Sequence, residues 1–166
     1  MKYIQLTKGY RSAVDDKTFH ILSRVKWCAA IKTSNIVYGY RNSIPYKGSK
    51  QHLSLHRMAY LVMTGKLVPD GMEVDHIDGD GLNNQISNLR VCTHKQNLSN
   101  RKTHKNNTTG ASGIWVYVGK RGTKYIPTIR IEGKQTYLGR FSTMREAKEV
   151  RAKAVLENYG EYARQE

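Results

Sequence analysis

The segment at residues 72–97 constrains the fold more than any other part of this sequence. An apolar and β-branched run ends in Asp75 and His76, a glycine-containing polar turn follows, and a second such run leads to Thr93. Runs of this kind, separated by turn residues, predict two β-strands. Thr93, with Gln96 three residues later, predicts a capping box at the start of a helix. The segment is therefore predicted to fold as strand, turn, strand and helix.

Polar side chains with complementary chemistry lie along this segment. His76 directly follows Asp75, Asn88 comes twelve residues later, and Asn97 follows after nine more. A neutral imidazole accepts protons near neutral pH, and carboxylate and amide oxygens suit Mg²⁺. We expect Asp75 and Asn97 to bind one Mg²⁺, for which Mn²⁺ can substitute, and His76 to act as a general base. Asn88 is expected to tie the second strand to the turn.

The direct adjacency of Asp75 and His76 limits how they can share a site. Neighbouring side chains on a regular strand point to opposite faces. The two can serve one site only if the backbone bends at the strand end, and the glycine-bearing turn that starts at Asp78 permits such a bend.

The charge of the chain indicates a polyanionic partner. The formal net charge is +15 and the isoelectric point is about 9.9. All five acidic residues of the stretch 51–105 fall between Asp70 and Asp80, which favours a bound cation there. A base, a divalent cation and a basic surface together indicate cleavage of phosphodiester bonds. An RNA-binding factor of the ribosomal type would explain the charge but not the acidic cluster.

Several other classes of protein are disfavoured. The two cysteines, Cys28 and Cys92, form no CxxC pair, and no run approaches the ~20 apolar residues of a membrane span. We therefore expect no membrane association, no small-molecule cofactor and a cytoplasmic location in a bacterial or phage-infected cell. His52 and His56 have the spacing of zinc ligands, but no second pair completes a tetrahedral site, so His56 is predicted to be structural.

Charge and composition divide the chain into three predicted parts. Residues 1–50 are mostly extended and carry the largest positive excess, residues 51–105 hold the motif described above, and a basic polar linker leads into residues 106–166. The last part contains three predicted strands, followed by a helix that starts with a capping box of Thr143 and Glu146. The predicted fold class is thus α+β.

The middle part resembles the HNH nuclease module of the His-Me finger, or ββα-metal, superfamily. It is most similar to the His-Asn-Asn form found in phage and intron-encoded homing endonucleases. The resemblance implies that Asp75 and Asn97 are the metal ligands, His76 the general base and Asn88 the residue that fixes the loop. The last position of the motif is commonly His, and Asn97 in its place favours Mg²⁺ over Zn²⁺. The matching residues are His56-Arg57, Val74 to Gly79, Asn83-Asn84, Asn88 to Val91 and Gln96-Asn97.

The last part resembles the Apetala-type DNA-binding domain, which implies a three-stranded antiparallel sheet laid into the major groove. The matching stretches are Ser112 to Trp115, Lys124-Tyr125 with Ile129-Arg130, Leu138 to Thr143, Glu146-Ala147 and Tyr159 to Ala163. Pro127 departs from the pattern, because it falls inside the predicted middle strand. The DNA contacts expected for the whole chain are Arg90, Lys95, Arg101, Lys102, Trp115, Tyr117, Arg121, Lys124, Arg130, Lys134 and Arg140.

The sequence therefore predicts a ββα-metal (HNH) finger with a β-rich N-terminal extension and a C-terminal three-stranded sheet plus helix. The expected function is that of a metal-dependent, site-preferring endonuclease of double-stranded DNA, of the homing or nicking type. A monomer would nick one strand, and double-strand cleavage would need two molecules or sequential nicks. The alternative is a non-catalytic, sequence-specific DNA-binding regulator on a decayed HNH fold.

Overall fold

The chain forms two compact units, Met1–Asn97 and Leu98–Glu166. The computed structural model describes residues 1–32, 35–42, 52–100, 107, 109–131 and 133–163. The domain boundaries predicted from the sequence lie elsewhere, after residues 50 and 105. The structure joins the N-terminal extension to the motif-bearing segment because both pack on the same helix. No helix in the described ranges has the length and apolar composition needed to cross a bilayer.

The first unit contains seven strands and three helices among its described residues. In chain order these are β1 Lys2–Gln5, β2 Arg11–Val14, α1 Asp16–Leu22, β3 Cys28–Ile31, β4 Val37–Asn42, β5 His52–Ser54, α2 Leu55–Thr64, β6 Met72–His76, β7 Leu89–Thr93 and α3 His94–Ser99, whose last two residues fall in the second unit. Short 3₁₀ turns occupy Thr7–Gly9 and Ile86–Asn88. The strands form antiparallel sheets in the orders β1-β2, β3-β4-β5 and β6-β7.

Helix α2 connects the two apolar clusters of this unit. Its residue Leu55 is fully buried with Val14 and Trp27 in the larger cluster, which lies under the N-terminal strands. One turn later, Ala59 packs in a second cluster under the β6-β7 hairpin. Residues four apart lie on one face of a helix, so a single helix face supports both groups of strands. The helix ends at Gly65, which adopts a left-handed conformation with φ of 71°.

The predicted strand, turn, strand and helix segment is confirmed. Strands β6 and β7 pair with Asp75 opposite Arg90 and His76 opposite Leu89. The capping box that starts α3 is also present. The Thr93 N–H donates to Gln96 Oε1 at 2.8 Å, and the Gln96 N–H donates to Thr93 Oγ1 at 3.3 Å.

The second unit contains a three-stranded antiparallel sheet and one long helix among its described residues. Its elements are β8 Ile114–Gly119, β9 Gly122–Ile131, β10 Lys134–Tyr137, α4 Met144–Tyr159 and a 3₁₀ turn at Gly160–Tyr162, with the strand order β10-β9-β8. The capping box of Thr143 and Glu146 is confirmed. Pro127 lies buried in the middle strand opposite Ile114; its carbonyl accepts the Leu138 N–H, and the Thr128 N–H that follows donates to the Gly113 carbonyl.

The β1-β2 hairpin was not predicted as two paired strands, and it is bonded directly to the loop after His76. The Ala13 N–H donates to the Leu82 carbonyl at 2.9 Å, and the Asn84 N–H donates to the Ala13 carbonyl at 2.8 Å. Asp15 precedes α1 as expected of a cap, but its carboxylate instead accepts the Ile86 N–H at 2.7 Å. The N-terminal segment thus forms part of the frame that holds this loop.

Replacing Asp15 tests whether this frame matters. Asp15→Ala leaves the Ile86 N–H without its charged acceptor, and we expect a loss of about 2 kcal/mol in the free energy of unfolding. The neighbouring Asp16 is exposed and contacts only the terminal amine at 3.6 Å. Asp16→Ala is therefore the matched control and should cost less than about 1 kcal/mol. Urea unfolding followed by Trp27 fluorescence gives both values, and equal losses would contradict the role of Asp15.

Candidate active site

His76 ends strand β6 and is 5% exposed. Its Nε2 lies 3.0 Å from Asn84 Oδ1. The imidazole packs against two other rings, with centroid distances of 5.2 Å to His56 and 5.8 Å to Tyr38. These contacts come from α2, β4 and the loop before β7, so three separate parts of the unit fix the ring.

The surroundings of His76 favour its neutral form. Burial is the largest effect and lowers the pKa of His76, while the hydrogen bond to Asn84 and the carboxylates of Asp78, Asp75 and Asp80 oppose it. A base must be unprotonated to accept a proton, so a lowered pKa keeps His76 competent at neutral pH and below.

Asp75 lies on the opposite face of β6 from His76. Its carboxylate pairs with Arg90 at 3.0 Å, and the two side chains are 8% and 13% exposed. The pairing of β6 with β7 continues through His76, so no bend precedes that residue within the strand. Because their side chains point to opposite faces, Asp75 and His76 can contact one substrate only where β6 ends, beyond the pair that His76 forms with Leu89.

Asn97 lies on the Asp75 face, next to Glu73. Asn97 Nδ2 donates to Glu73 Oε2 at 2.5 Å, and His94 Nδ1 lies 2.8 Å from Glu73 Oε1. Burial raises the pKa of the Cys92 thiol to about 11, helped by the charges of Asp75 and Glu73 and opposed in part by the Asn97 N–H. Glu73 lies two residues before Asp75 on β6 and so shares its side of the strand, and the contact with Glu73 places Asn97 on that side as well.

The donor set on this face suits a hard cation. Carboxylate and amide oxygens are ligands for Mg²⁺, which keeps several waters and needs few protein groups. Asp75 and Asn97 fit this chemistry, and Glu73 adds a second carboxylate that sequence reasoning missed. No group of three His, Cys, Asp or Glu side chains within the described ranges has the arrangement of a metal site, so a cation here would depend on the amide and on water or substrate oxygens.

Asn88 ties β7 to the loop after His76, as expected. Its Oδ1 accepts the Asp78 N–H at 3.0 Å, and its Nδ2 donates to Asp78 Oδ1 at 2.9 Å and to the Asn83 carbonyl at 2.8 Å. Burial opposes ionisation of Asp78, but hydrogen bonds from the Asp80 N–H and from the Asn83 and Asn88 side-chain amides outweigh it and lower the pKa of this carboxyl. Asn88 thereby fixes the loop rather than contacting the Asp75 face.

Comparison with known proteins identifies this region. The family model for HNH endonucleases matches residues 54–99. Protein 3.8 of Escherichia phage T7 is 36% identical over 91 residues, covering 54% of this chain and 69% of that protein. Residues 54–99 therefore form an HNH endonuclease domain. No solved structure matches it significantly.

Two further relatives carry HNH names. The uncharacterized HNH endonuclease L560 of Acanthamoeba polyphaga mimivirus is 35% identical over 100 residues, or 60% of this chain and 48% of that one. The SPbeta prophage protein YosQ of Bacillus subtilis (strain 168), named with the HNH homing endonucleases, is 42% identical over 55 residues, or 32% of this chain and 30% of that one. The chain thus spans less than half of either protein.

The basic residues predicted to contact DNA near the HNH domain have different placements. Arg90 forms the salt bridge to Asp75, so its guanidinium is already engaged by a carboxylate. Lys95 is exposed on α3. Arg101 and Lys102 lie outside the described residues.

Strand register decides which residues of the second unit share a face. Trp115 pairs with Ile126 and Tyr117 with Lys124, and alternation adds Arg130 to the same side. Trp115 and Tyr117 are 62% and 53% exposed. We call this side the outer sheet face; it also holds Arg140, 5.5 Å from the Tyr117 ring centre, and exposed Tyr137.

Two other predicted contacts lie elsewhere on this sheet. Lys134 pairs with Ile131, which alternates with buried Ile129, so the register puts Lys134 on the opposite side from the outer sheet face. Arg121 sits in the turn between β8 and β9. Tyr137, which was not predicted to contact DNA, also lies on the outer sheet face because it pairs with Thr128.

Three residues around the HNH motif were missed or assigned only a passive role. Glu73 was recoverable, because it precedes Asp75 by two residues on a strand and must share its face. His56 was predicted to be structural, and nothing local indicates that its ring packs on His76. Asn84 was noted only as part of the resemblance, since its partners are distant in sequence.

The pH dependence of stability should reveal His56. Burial lowers its pKa from 6.5 to about 3, with smaller contributions from His76 and Arg57. In the unfolded chain His56 is therefore protonated below about pH 6.5, whereas in the folded chain it is protonated only below about pH 3. The contribution of neutral His56 to the free energy of unfolding is complete above about pH 7.5. It decreases as the pH falls, by roughly 2 kcal/mol between about pH 7.5 and about pH 5.

Unfolding in urea at several pH values measures this slope. His56→Phe removes the titrating ring and should flatten the dependence by that amount. His20→Phe, at an exposed position on α1, is the control and should leave the slope unchanged. An unaltered slope in His56→Phe would show that the buried ring does not control acid stability.

Proposed function

We propose that this chain is a metal-dependent, site-preferring endonuclease that hydrolyses phosphodiester bonds in double-stranded DNA, of the nicking or homing type. The observation that carries the proposal is the buried imidazole of His76 at the end of β6, a strand whose other face presents the carboxylates of Asp75 and Glu73. The HNH family match over residues 54–99 and the basic net charge of +15 support it. We further propose that the protein acts in the cytoplasm of a bacterial or phage-infected cell.

His76 is proposed to take a proton from the water that attacks the scissile phosphorus. The lowered pKa of His76 keeps the ring neutral for this step. The step needs one water at one ring nitrogen, so an exposure of 5% is compatible with it. The phosphate is proposed to lie at the end of β6, where the strand that carries both Asp75 and His76 stops.

Asp75 and Asn97 are proposed to hold one Mg²⁺, for which Mn²⁺ can substitute. Such a cation stabilises charge on the scissile phosphate and on the departing oxygen. Arg90 remains beside Asp75 and is proposed to face the phosphate from there. Asn88 is proposed to act by keeping the loop after His76 in place.

The outer sheet face of the second unit is proposed to bind the DNA. Exposed aromatic rings beside basic side chains suit contact with bases and phosphates. Trp115, Tyr117, Lys124, Arg130 and Arg140 share this face and form the proposed contact set. Lys95, Arg101, Lys102 and Arg121 are proposed as phosphate contacts outside it. Lys134 is not part of the proposed contact set, because its pairing with Ile131 places it on the opposite side of the sheet.

One observation favours the second candidate, a non-catalytic DNA-binding regulator. The Arg90 guanidinium forms an ion pair with Asp75 at 3.0 Å, so a protein cation compensates the charge of this carboxylate. The retention of His76, Asp75 and Asn97 together favours the enzyme instead. A single chain contains one such site, so we propose that a monomer nicks one strand and that two molecules are needed for a double-strand cut.

Cleavage of supercoiled plasmid tests the catalytic proposal. Wild-type protein with Mg²⁺ should relax the plasmid, and EDTA should stop the reaction. His76→Ala should reduce the cleavage rate by about 10²–10⁴-fold, because the base is lost, while gel-shift affinity is retained. Asp75→Ala and Asn97→Ala should also lose activity, and His20→Ala serves as the control. DNA binding without cleavage by the wild type would favour the regulator.

A matched pair of basic residues tests the outer sheet face. Arg130→Gln should weaken DNA binding by about tenfold and reduce the salt dependence by about one phosphate contact. Lys134→Gln removes the same charge from the opposite side of the sheet and should have a much smaller effect. Gel shifts over a range of salt concentrations measure both. Equal losses would contradict the assignment of this face.

A further inference from the structure

We propose that Asn84, oriented by Ser12 of the β1-β2 hairpin, is a positioning residue that fixes the tautomer of His76. In this tautomer Nε2 carries the proton, and Nδ1 is the nitrogen that accepts a proton in the reaction. The inference deepens the proposed function and rests on it for its catalytic meaning. The hydrogen-bond geometry that supports it involves only residues of the first unit.

The side-chain amide of Asn84 is fully buried, with 0% exposure. Its nitrogen lies 2.7 Å from Ser12 Oγ and 3.3 Å from the Gly81 carbonyl. Its oxygen lies 3.0 Å from His76 Nε2. Asn84 therefore stands between the N-terminal hairpin and the proposed base.

The partners of Asn84 determine which way its amide points. The Gly81 carbonyl can only accept a hydrogen bond. Ser12 Oγ donates its single proton to the Leu82 carbonyl at 2.9 Å, so towards Asn84 it also accepts. Two acceptors require the NH₂ group, and a rotated amide would place its oxygen against both of them. The amide oxygen of Asn84 must therefore face His76.

This orientation decides the protonation of the imidazole. An amide oxygen cannot donate, so Nε2 must be the donor in its 3.0 Å contact with Asn84. A neutral imidazole has one N–H, which leaves the lone pair on Nδ1. Proton acceptance by the neutral ring must then occur at Nδ1.

The hairpin supplies the fixed end of this chain of hydrogen bonds. Ser12 is fully buried on β2, and the backbone of its neighbour Ala13 bonds to both Leu82 and Asn84. The strand thus holds Asn84 through its main chain and through its side chain at once. This gives the N-terminal extension a role in the proposed reaction beyond packing.

Three substitutions separate this role from general stability. Asn84→Leu is close in volume but has no acceptor, so Nε2 loses its partner. Asn84→Asp keeps an oxygen acceptor for Nε2, but its second oxygen meets the Gly81 carbonyl where Asn84 places its NH₂ group. Ser12→Ala removes the group that orients Asn84. We expect cleavage to fall by roughly 10–100-fold in Asn84→Leu and by less in Ser12→Ala and in Asn84→Asp, with DNA affinity unchanged.

The direct readout is the ring-nitrogen NMR spectrum of protein labelled with ¹⁵N-histidine, recorded at a pH where the His76 ring is neutral. The His76 signals are assigned by their loss in His76→Gln. Wild type and Asn84→Asp should show a protonated Nε2 and an unprotonated Nδ1. Asn84→Leu should show a mixture of tautomers or the reverse one, and Ser12→Ala a partial shift.

Two results would overturn the inference. One is a wild-type His76 protonated on Nδ1, which the spectrum shows even if every Asn84 and Ser12 variant fails to fold. The other is a folded Asn84→Leu variant with the wild-type tautomer and the wild-type cleavage rate. Failure of the proposed function is distinguishable, because a wild type that binds but does not cut DNA would still give the Nε2–H spectrum.

Discussion

The structure of the first unit depends on buried amide side chains that hold the loop between β6 and β7. Asn84 and Asn88 are both buried, and each side-chain amide both donates and accepts within that loop or to the residues flanking it. A buried polar group without a partner costs free energy, so such a network favours one loop conformation over others that would leave these groups unpaired. Apolar packing could bury the loop but would not choose the direction of each hydrogen bond.

The two faces of β6 have different electrostatic environments, and this follows from strand alternation. His76 points into a ring cluster with His56 and Tyr38, where burial favours the neutral imidazole. Asp75 points to the other side, where Arg90 compensates its charge. Groups that titrate in opposite environments can take separate roles as base and as anionic ligand. The direct adjacency of Asp75 and His76, which makes a shared site difficult, therefore also places the two side chains in separate environments.

Sequence predicted the elements whose determinants are local. The capping boxes at Thr93 and Thr143 and the β6-β7 hairpin are set by residues within a few positions of each other. The β1-β2 hairpin and the acceptor role of Asp15 were not predicted, because Asp15 bonds to a residue 71 positions away. Ser12 and Asn84 are separated by 72 residues, so no local pattern could pair them. Sequence reasoning selected candidate residues for the chemistry but missed most of the residues that hydrogen-bond to them.

The HNH match and the folding unit differ in extent, and the difference has a physical cause. The family match starts at residue 54, whereas the compact unit starts at Met1. The hydroxyl that orients Asn84 and the carboxylate that accepts the Ile86 N–H both come from residues before that match. A fragment cut at the match would leave these buried groups unpaired, at a cost comparable to a large share of a small domain's stability. The family match covers Asp75, His76 and Asn97, whereas the compact unit also includes the distant groups that hydrogen-bond to the loop between β6 and β7.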